Sequence, residues 1–319
     1  MCSETMLSPG IAWIERHSVS IRASVERALS EKDMMDNPLV LGIIGHPVGH
    51  SLSPLMHGEA MRHWGLEGSY ISFDVRPEDI QEAVAGLRAL GARGVNVTIP
   101  HKQAVMDQLD ELDPLAEATG AVNTIRFDGP RAFGYNTDGT GLIASIKADA
   151  GESVRGRKVL LLGAGGAARG IAVKLAQDGA AGIMVVNRTT DKGKDLVAHL
   201  KKRLSYPSAE FVPLQAEPVK ALLPGVDLII NSTSVGMEGE GGLPLSPEGI
   251  DERHLVCDIV YRPLETLFLT ECRKRGARTL DGLGMLICQG DLAFQIWTGK
   301  SFPKEKIRTI LIEKLEANI

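Results

Sequence analysis

The chain has 319 residues, a length that favours two domains because single hydrophobic cores tend to stop growing somewhat below it. Hydrophobic residues make up 44% and charged residues 24% of the sequence, which excludes the compositions typical of disordered and membrane-spanning proteins. The net charge of -5 gives no reason to expect nucleic acid or an anionic membrane as a partner.

The cysteines are scattered, without a C-x-x-C pair or a histidine at metal-ligand spacing. They are Cys2, Cys257, Cys272 and Cys288. We expect reduced, mostly buried thiols and no metal site. No apolar run approaches the roughly 18 residues of a membrane span. The N-terminus lacks the basic start and long apolar stretch of a signal peptide, so a cytoplasmic location is expected.

An N-terminal arm, residues 1–37, contains the pattern of an amphipathic helix at 11–33, with Ile14 and Ile21 on the same face. Two interpretations stay open. The arm is a docking or dimer helix, or the start codon was chosen too far upstream, since methionines immediately precede the first convincing strand. Both a monomer and a homodimer remain compatible with this pattern.

From Pro38 onward, strand and helix patterns alternate. The predicted strands are residues 39–45, 69–75 and 94–99, and the predicted helices are residues 54–64 and 78–90. Short apolar runs separated by helices are typical of right-handed βαβ crossovers and a parallel sheet. Residues 121–127 and 132–136 then predict a short antiparallel edge, which completes one α/β unit at 38–137.

A second α/β unit is predicted at 138–285. Its apolar runs open the segments 157–170, 182–189, 226–237, 254–261 and 277–285. The remaining residues, 286–319, predict two helices that return to cover the first unit. The sequence therefore predicts an α/β protein with two domains, 38–137 completed by 286–319, and 138–285.

The segment VLLLGAGGAARG places Gly163, Gly165 and Ala168 in a G-x-G-x-x-A frame between a strand and a helix. Gly163 would allow the tight turn and Gly165 the close approach of a pyrophosphate, which the helix N-terminus binds through its free N–H groups. Ala168 is small enough for the helix to pack on the strand. This context indicates a dinucleotide site rather than an ordinary βα turn.

The end of the next strand distinguishes NADP from NAD. An NAD site usually carries Asp or Glu there for the ribose 2′-OH, while arginine accommodates a 2′-phosphate. This chain has Asn187, Arg188 and Thr189, with Lys192 one helical turn further on. Two cations and a hydroxyl suit a phosphate dianion, so the sequence predicts NADP as the cofactor.

A carbonyl that accepts hydride needs a proton or a cation beside its oxygen, and polar clusters of the first unit are placed to supply it. Their members are Ser51, Ser53, Thr98, Lys102, Asn123, Asn136 and Asp138. All follow predicted strands or begin helices, where open parallel sheets bind ligands. Singly, Ser53 and Asp138 can be explained as helix N-caps, and Lys102 as a solvated loop residue. Together the clusters exceed what capping requires and indicate a substrate site.

Eight motifs in unbroken order resemble those of the shikimate/quinate dehydrogenase family, and the resemblance covers roughly residues 39–302. In chain order they are GHSLSPLMH, GVNVTIPHK, GAVNT, YNTDGTG, GAGGAARG, NRT, DxxYxPxxT and DGLGMLxxQ. The resemblance implies an N-terminal α/β substrate domain with a mainly parallel sheet and a Rossmann-type NADP-binding domain. It also implies an oxidoreductase that reversibly reduces 3-dehydroshikimate to shikimate, in the chorismate route to aromatic amino acids.

The family's residue roles carry over position by position, with Lys102 and Asp138 as the catalytic pair. The substrate residues implied besides this pair are Ser51 and Ser53 for the carboxylate, Tyr261 nearby, and Thr98, Asn123 and Gln289 for the ring hydroxyls. The cofactor residues implied are Gly163, Ala164, Gly165, Gly166, Ala167, Asn187, Arg188, Thr189, Lys192, Thr233, Ile259, Gly282 and Met285, the last close to the nicotinamide. Lys192 departs from the family, which often has arginine there; it keeps the charge but loses the bidentate geometry.

Three alternatives stay open beside this small-molecule dehydrogenase. Quinate differs from shikimate by hydration of the ring double bond, and some family members accept both, often with NAD. A non-catalytic ligand sensor on the same fold should have lost Lys102, Asp138 or the glycine loop, and none of these is lost. A folate-type methylene dehydrogenase of similar construction would not explain Ser51, Ser53 and Asn123 together.

Overall fold

The structure is a computed structural model that describes residues 38–239 and 242–317. The predicted N-terminal helix at 11–33 lies outside these residues. The described chain forms two six-stranded sheets, one after the other in sequence, with helices packed on both. No helix in the described ranges is both long and apolar enough to cross a membrane.

The first sheet has the strand order β2-β1-β3-β5-β6-β4. Its strands are β1 (Leu39–Gly45), β2 (Gly68–Asp74), β3 (Gly94–Val97), β4 (Glu111–Leu112), β5 (Thr124–Asp128) and β6 (Arg131–Tyr135). The first three strands are parallel, β5 is antiparallel to both of its neighbours, and β4 is parallel to β6. The sheet is thus mainly parallel. Its antiparallel hairpin, β5 and β6, lies between β3 and the short edge strand β4.

Three helices connect these strands. They are α1 (Ser53–Trp64), α2 (Ile80–Ala89) and α3 (Pro114–Thr119), with 3₁₀ turns at Pro77–Asp79 and Ala104–Gln108. A proline in the first turn favours the start of α1, and Gly65 ends it in the left-handed conformation. Strand β3 ends at Val97, two residues before the predicted end, because the chain turns back so that the His101 N–H bonds to Thr98 O.

The second sheet is entirely parallel, in the order β12-β11-β10-β7-β8-β9. Its strands are β7 (Lys158–Leu162), β8 (Gly182–Asn187), β9 (Ala209–Pro213), β10 (Leu228–Asn231), β11 (Leu255–Asp258) and β12 (Arg278–Leu280). Its helices are α4 (Asp138–Ala150), α5 (Gly166–Gln177), α6 (Thr190–Leu204), α7 (Ala216–Leu222) and α8 (Leu267–Arg273). The edge strand β9 is missing from the sequence prediction, because AEFVP is short and carries a charge and a proline.

Two C-terminal helices, α9 (Gly282–Thr298) and α10 (Lys304–Glu316), pack against the first sheet. Trp297 on α9 is fully buried, and its Nε1–H donates to Ile125 O of β5 at 2.8 Å. Lys306 on α10 pairs with Glu59 of α1 at 2.6 Å. Because α9 also packs along α4, it contacts both the first sheet and a helix of the second α/β unit.

Candidate active site

An ion pair between Lys102 and Asp138 occupies the junction between the two sheets. Lys102 follows β3, Asp138 opens α4, and Nζ donates to Oδ2 at 2.6 Å with only 15% and 6% of the two side chains exposed. A Cβ atom built on Gly166 would lie 3.3 Å from Lys102 Cδ, so the lysine stem lies against the glycine loop. The solvated-loop interpretation of Lys102 is therefore wrong.

Asn123 holds the second oxygen of the Asp138 carboxylate. Its Nδ2 donates to Asp138 Oδ1 at 2.8 Å, and its Oδ1 accepts the Thr137 N–H at 2.8 Å. Gln289 approaches from α9, with Oε1 3.4 Å from Asn123 Nδ2. The structure thus brings together Lys102, Asp138, Asn123 and Gln289, and it orients the carboxylate by a cation on one oxygen and an amide on the other.

Neither Ser53 nor Asp138 caps its helix. Each is the first helical residue, the N-cap positions are Leu52 and Thr137, and neither cap residue makes a side-chain capping bond. The N-cap explanation considered for both is therefore wrong, which leaves their side chains for other contacts. Ser53 is buried, and its backbone N–H donates to Ser51 Oγ at 3.2 Å.

A buried hydrogen-bonded chain links the serines to the ion pair. Tyr70 O–H donates to Asn96 Oδ1 at 2.7 Å, and Asn96 Nδ2 donates to the Asn123 carbonyl at 3.2 Å. Burial raises the pKa of Tyr70 well above its ordinary value, and a hydrogen bond with Ser53 opposes the shift. The phenol therefore stays a neutral donor. Tyr70 and Asn96 were not among the predicted site residues.

Two other predicted substrate residues stand at the rim of this region. Thr98 is half-buried, and its methyl group lies against Gly45 at the end of β1. Tyr261 is also half-buried, follows β11, and packs on the hydrophobic core that α9 and α10 share with α1. Burial raises its pKa, with Arg262 opposing, so it is a neutral phenol as well. Neither makes a hydrogen bond to the ion pair.

The glycine loop has the geometry of a nucleotide cradle. Gly163 has φ +109°, a region that side chains rarely adopt, and a Cβ atom there would meet Ser232 Oγ at 2.8 Å. Gly165 is exposed, with open space where its Cβ would stand. Gly166 begins α5, whose first N–H groups have no partner inside the helix. Ala164 and Ala167 flank these positions and are half-buried. The loop fits a pyrophosphate at the helix N-terminus.

The end of β8 presents cations to solvent. Arg188, Thr189 and Lys192 are exposed, and no carboxylate occupies the position that an NAD site uses for the ribose hydroxyl. Asn187 is half-buried, and its Nδ2 donates to Thr189 O at 2.8 Å, which fixes the turn into α6. This arrangement fits a 2′-phosphate better than an unmodified ribose.

The remaining predicted cofactor residues line the ends of β10 and β11. Asn231 at the end of β10 accepts both the backbone N–H and the hydroxyl of Thr233. A Cβ atom on Gly282 would be 2.3 Å from Ile259 O, so α9 begins directly against the end of β11. Met285, one turn along α9, is buried in the core of the second sheet, against which Ile259 also packs.

A buried carboxylate that the sequence prediction missed holds this loop. Asp258 accepts hydrogen bonds from the Val260 N–H, the Thr266 hydroxyl and Asn231 Nδ2, at 2.9 to 3.0 Å. Burial raises the pKa of Asp258 to about 6, and these three hydrogen bonds oppose the shift. The pattern DxxYxPxxT was the available signal: its Asp and Thr bond to each other and fold the segment that carries Ile259 and Tyr261.

The described residues contain no group of three or more His, Cys, Asp or Glu side chains that could hold a metal ion. Cys257, Cys272 and Cys288 are free and buried. Burial raises the pKa of each thiol, which disfavours the reactive thiolate.

Three family models match the chain. The shikimate dehydrogenase substrate binding domain matches residues 43–125, the shikimate / quinate 5-dehydrogenase model matches 144–237, and the shikimate 5′-dehydrogenase C-terminal domain matches 282–312. The first model covers the strands that precede Lys102 and Asn123, the second covers the glycine loop, and the third covers α9.

Individual relatives extend over nearly the whole described chain. Shikimate dehydrogenase (NADP(+)) of Methanopyrus kandleri is 44% identical over 278 residues, which cover 86% of this chain and 96% of the relative. Shikimate 5-dehydrogenase from Thermus thermophilus, solved with NADP(H) and shikimate, is 38% identical with a TM-score of 0.76, covering 85% and 97% of the two chains. Quinate dehydrogenase from Corynebacterium glutamicum, solved with NAD, is 28% identical with a TM-score of 0.81, covering 86% and 99%.

Proposed function

The chain belongs to the shikimate dehydrogenase family, and we propose that it reversibly reduces 3-dehydroshikimate to shikimate with NADPH, in the chorismate route to aromatic amino acids. The observation that carries this proposal is the 2.6 Å pair of Lys102 and Asp138, whose lysine stem lies against Gly166 of the glycine loop. A proton donor with an orienting carboxylate beside a nucleotide cradle is what hydride transfer to a carbonyl requires.

The residues of the second sheet fit NADP. Bound NADPH supplies the hydride that reduces the carbonyl carbon. We assign the pyrophosphate to the N-terminus of α5 after Gly163 and Gly165, and the 2′-phosphate to Arg188, Thr189 and Lys192. The exposed cations and the open space at Gly165 support this assignment. The NADP-named relative, at 44% identity, supports it further, while the NAD-bound quinate dehydrogenase is 28% identical.

Lys102 carries the proton in this proposal. Its ammonium stabilises the alkoxide that forms at the former carbonyl oxygen and donates a proton to it; in the oxidation direction the neutral amine takes the proton back. Asp138 is the positioning partner, because its carboxylate accepts from Lys102 on one oxygen and from Asn123 on the other. With both oxygens engaged, the ammonium has one preferred position.

We assign the substrate carboxylate to Ser51 and Ser53, with Tyr261 nearby. The ring hydroxyls are assigned to Thr98, Asn123 and Gln289. The contact between Asn123 and Gln289 and the buried chain from Tyr70 to Asn123 support a single continuous polar surface. The intact ion pair and glycine loop also argue against the non-catalytic sensor.

The domain division is proposed on the same grounds. Residues 38–137 with 286–319 would form the substrate-binding domain, and 138–285 the NADP-binding domain; the packing of α9 and α10 on the first sheet supports this division. The cytoplasmic location and the monomeric or homodimeric state stay predictions from the sequence.

The test is a spectrophotometric assay of nicotinamide reduction, with shikimate and quinate each supplied with NADP and NAD. We expect kcat/KM to be highest for shikimate with NADP. Comparable values for quinate would favour the dual-specificity alternative, and a preference for NAD would contradict the role of Arg188 and Lys192. Ligand binding without turnover would favour the sensor.

A further inference from the structure

Two side chains from the second sheet's helices hold the end of α3. Arg169 on α5 donates its Nε–H to Thr119 O at 3.2 Å, and His199 on α6 bonds through Nε2 to Ala118 O at 2.5 Å. Because the acceptor is a carbonyl, the histidine nitrogen carries the proton. The last carbonyls of a helix have no partner inside it, so these donors satisfy groups that α3 leaves open.

The chain that follows α3 is the backbone of the substrate side. Gly120 lies against the arginine: a Cβ atom there would be 3.5 Å from Arg169 Nη2. Two residues on, the Val122 N–H donates to the Lys102 carbonyl at 2.7 Å, and Asn123 then bonds to Asp138. A shift of this segment would therefore move Asn123 and the backbone of Lys102 together.

The next residue of α5, Gly170, lies against Asn136, which immediately precedes Thr137 and Asp138. A Cβ atom on Gly170 would be 2.8 Å from Asn136 Oδ1, which also accepts the Asp138 N–H at 3.2 Å. Asn136 Nδ2 donates to Ala121 O at 2.9 Å, within the segment that follows α3. The first turns of α5 thus contact two segments: residues 119–123, which bond to Lys102 and Asp138, and residues 136–138, which carry Asp138.

The charge at this contact belongs to the arginine. Burial lowers the pKa of His199, and Arg169 and Arg203 lower it further, while its bond to Ala118 opposes the shift. The histidine is therefore a neutral donor near pH 7. Arg169 is part-buried and keeps its guanidinium charge, since an arginine pKa starts far above the physiological range. A charged donor to a carbonyl is stronger than a neutral one.

We propose that Arg169 is a positioning residue that couples the nucleotide site to the substrate site. It acts through Thr119 and residues 120–123 rather than by touching either ligand. The inference rests on the proposed function, because it places the pyrophosphate at the N-terminus of α5. A nucleotide that immobilises α5 immobilises Arg169 with it, and so fixes the segment that carries Asn123 before the substrate binds.

The experiment compares shikimate affinity with and without NADPH, two ligands that do not react with each other. In the unaltered protein we expect NADPH to tighten shikimate binding. In Arg169→Met, we expect the ratio of the two dissociation constants to fall towards one and the KM for shikimate to rise about tenfold, the effect of about 1.4 kcal/mol. The dissociation constant of NADPH alone should change less than about twofold, since the glycine loop itself is untouched.

Arg157→Met is the control for the loss of an arginine-to-carbonyl hydrogen bond, and it also removes an ion pair with Glu152. Arg157 also donates Nε–H to a carbonyl, Ser153 O at 3.1 Å, but it precedes β7 and so lies at the end of the sheet opposite the glycine loop. This variant should keep the NADPH effect on shikimate. Unchanged coupling in Arg169→Met, or an equal loss in both variants, overturns the proposal.

Arg169→Lys decides the question if the methionine variant does not fold. A lysine keeps the charge without the fixed guanidinium fork, so we expect about a threefold rise in KM and a reduced NADPH effect. Full coupling in this variant, with thermal unfolding unchanged, would also overturn the proposal. Turnover of shikimate by the unaltered protein tests the proposed function separately, so an active enzyme indifferent to Arg169 loses only this inference.

Discussion

The two walls of the candidate active site differ in how their charges are satisfied. On the substrate wall, Lys102 and Asp138 pair with each other at 2.6 Å and are largely buried, and Asn123 completes the carboxylate. On the cofactor wall, Arg188 and Lys192 are exposed, and within residues 38–239 and 242–317 neither forms an ion pair. The charges of the substrate wall are paired within the protein, and the charges of the cofactor wall are exposed.

The difference follows from what each wall has to do. Proton transfer needs a donor at a fixed position, and internal partners provide that fixed position in advance. Phosphate binding benefits from electrostatic attraction over some distance, which exposed cations provide. Salt screens this attraction and weakens it. Each wall also holds one buried carboxylate: Asp138 faces a cation, whereas Asp258 faces only neutral donors.

The largest effect is expected from removing the cation of the substrate wall. Lys102→Met keeps an aliphatic stem against Gly166 but cannot carry a proton, so kcat should fall about a thousandfold, with a much smaller change in the KM for shikimate. Steady-state kinetics in both directions measures this. Such a split is the sign of an interaction stronger in the transition state than in the bound substrate.

Lys174→Met is the control for the loss of a lysine–aspartate pair. Lys174 bonds to Asp178 at 2.6 Å, the same distance as the candidate catalytic pair, but along the face of α5. Its kcat should stay within about twofold of the unaltered enzyme, because Lys174 lies about two turns along α5 from Gly166. Near-normal turnover in Lys102→Met would remove Lys102 from the proposed chemistry.

Much of this architecture is predictable from the sequence because it is local. The alternation of apolar runs and helices places most strands of both sheets, and the glycine frame marks its own turn. The edge strand β9 is not predictable in this way, since its five residues include a glutamate and a proline. Strand pairing at an edge is decided by the neighbour, not by the segment.

The site residues that the sequence prediction missed are those fixed by distant parts of the chain. Asn96 alternates with Val95 and Val97, so its face of β3 looks solvent-exposed in sequence. In the structure α1 and the C-terminal helices cover that face, and Asn96 is 5% exposed and bonded to Tyr70. The burial of Asp258 likewise depends on the whole second sheet.

Asp258 should make the stability of the protein depend on pH. Burial raises the pKa of Asp258 to about 6 in the folded protein, against an ordinary value of 3.8. The folded state therefore binds this proton more tightly than the unfolded state does. The protonated carboxyl adds to the stability of the fold below about pH 4, and this contribution is lost as pH rises through about 6. The loss is about 3 kcal/mol, at about 1.4 kcal/mol per pKa unit.

Asp258→Asn isolates this contribution. The amide keeps an acceptor for the Val260 N–H and does not titrate, so its free energy of unfolding should exceed that of the unaltered protein at about pH 7.5 and approach it at about pH 4.5. Urea unfolding at the two pH values measures the difference. Burial lowers the pKa of His57 to about 3, which acts in the opposite direction, but that effect is common to both proteins and cancels. A difference independent of pH would show that burial does not perturb Asp258.

A smaller effect is expected at the exposed wall. Arg188→Met should raise the KM for NADP about tenfold and leave that for NAD unchanged, because only NADP carries the 2′-phosphate that we assign to this guanidinium. Arg203→Met is the control, since it removes one exposed positive charge from the last turn of α6, far along the helix from Arg188. The control separates a phosphate contact from a change in net charge, and an equal loss with NAD and NADP would contradict the contact.

Lys192→Met should have the smallest effect, about a threefold rise in the KM for NADP. Its ammonium is an exposed point charge without the planar fork of arginine, and such contacts contribute at most about 1 kcal/mol. Because exposed charges are screened, added salt should shrink the differences at Arg188 and Lys192 while leaving the Lys102→Met defect in kcat unchanged. Lys192→Arg provides the sharper comparison: if the phosphate lies within reach of this position, the fork should lower the KM below that of the unaltered enzyme. An unchanged KM in both Lys192 variants would confine the phosphate contact to Arg188 and Thr189.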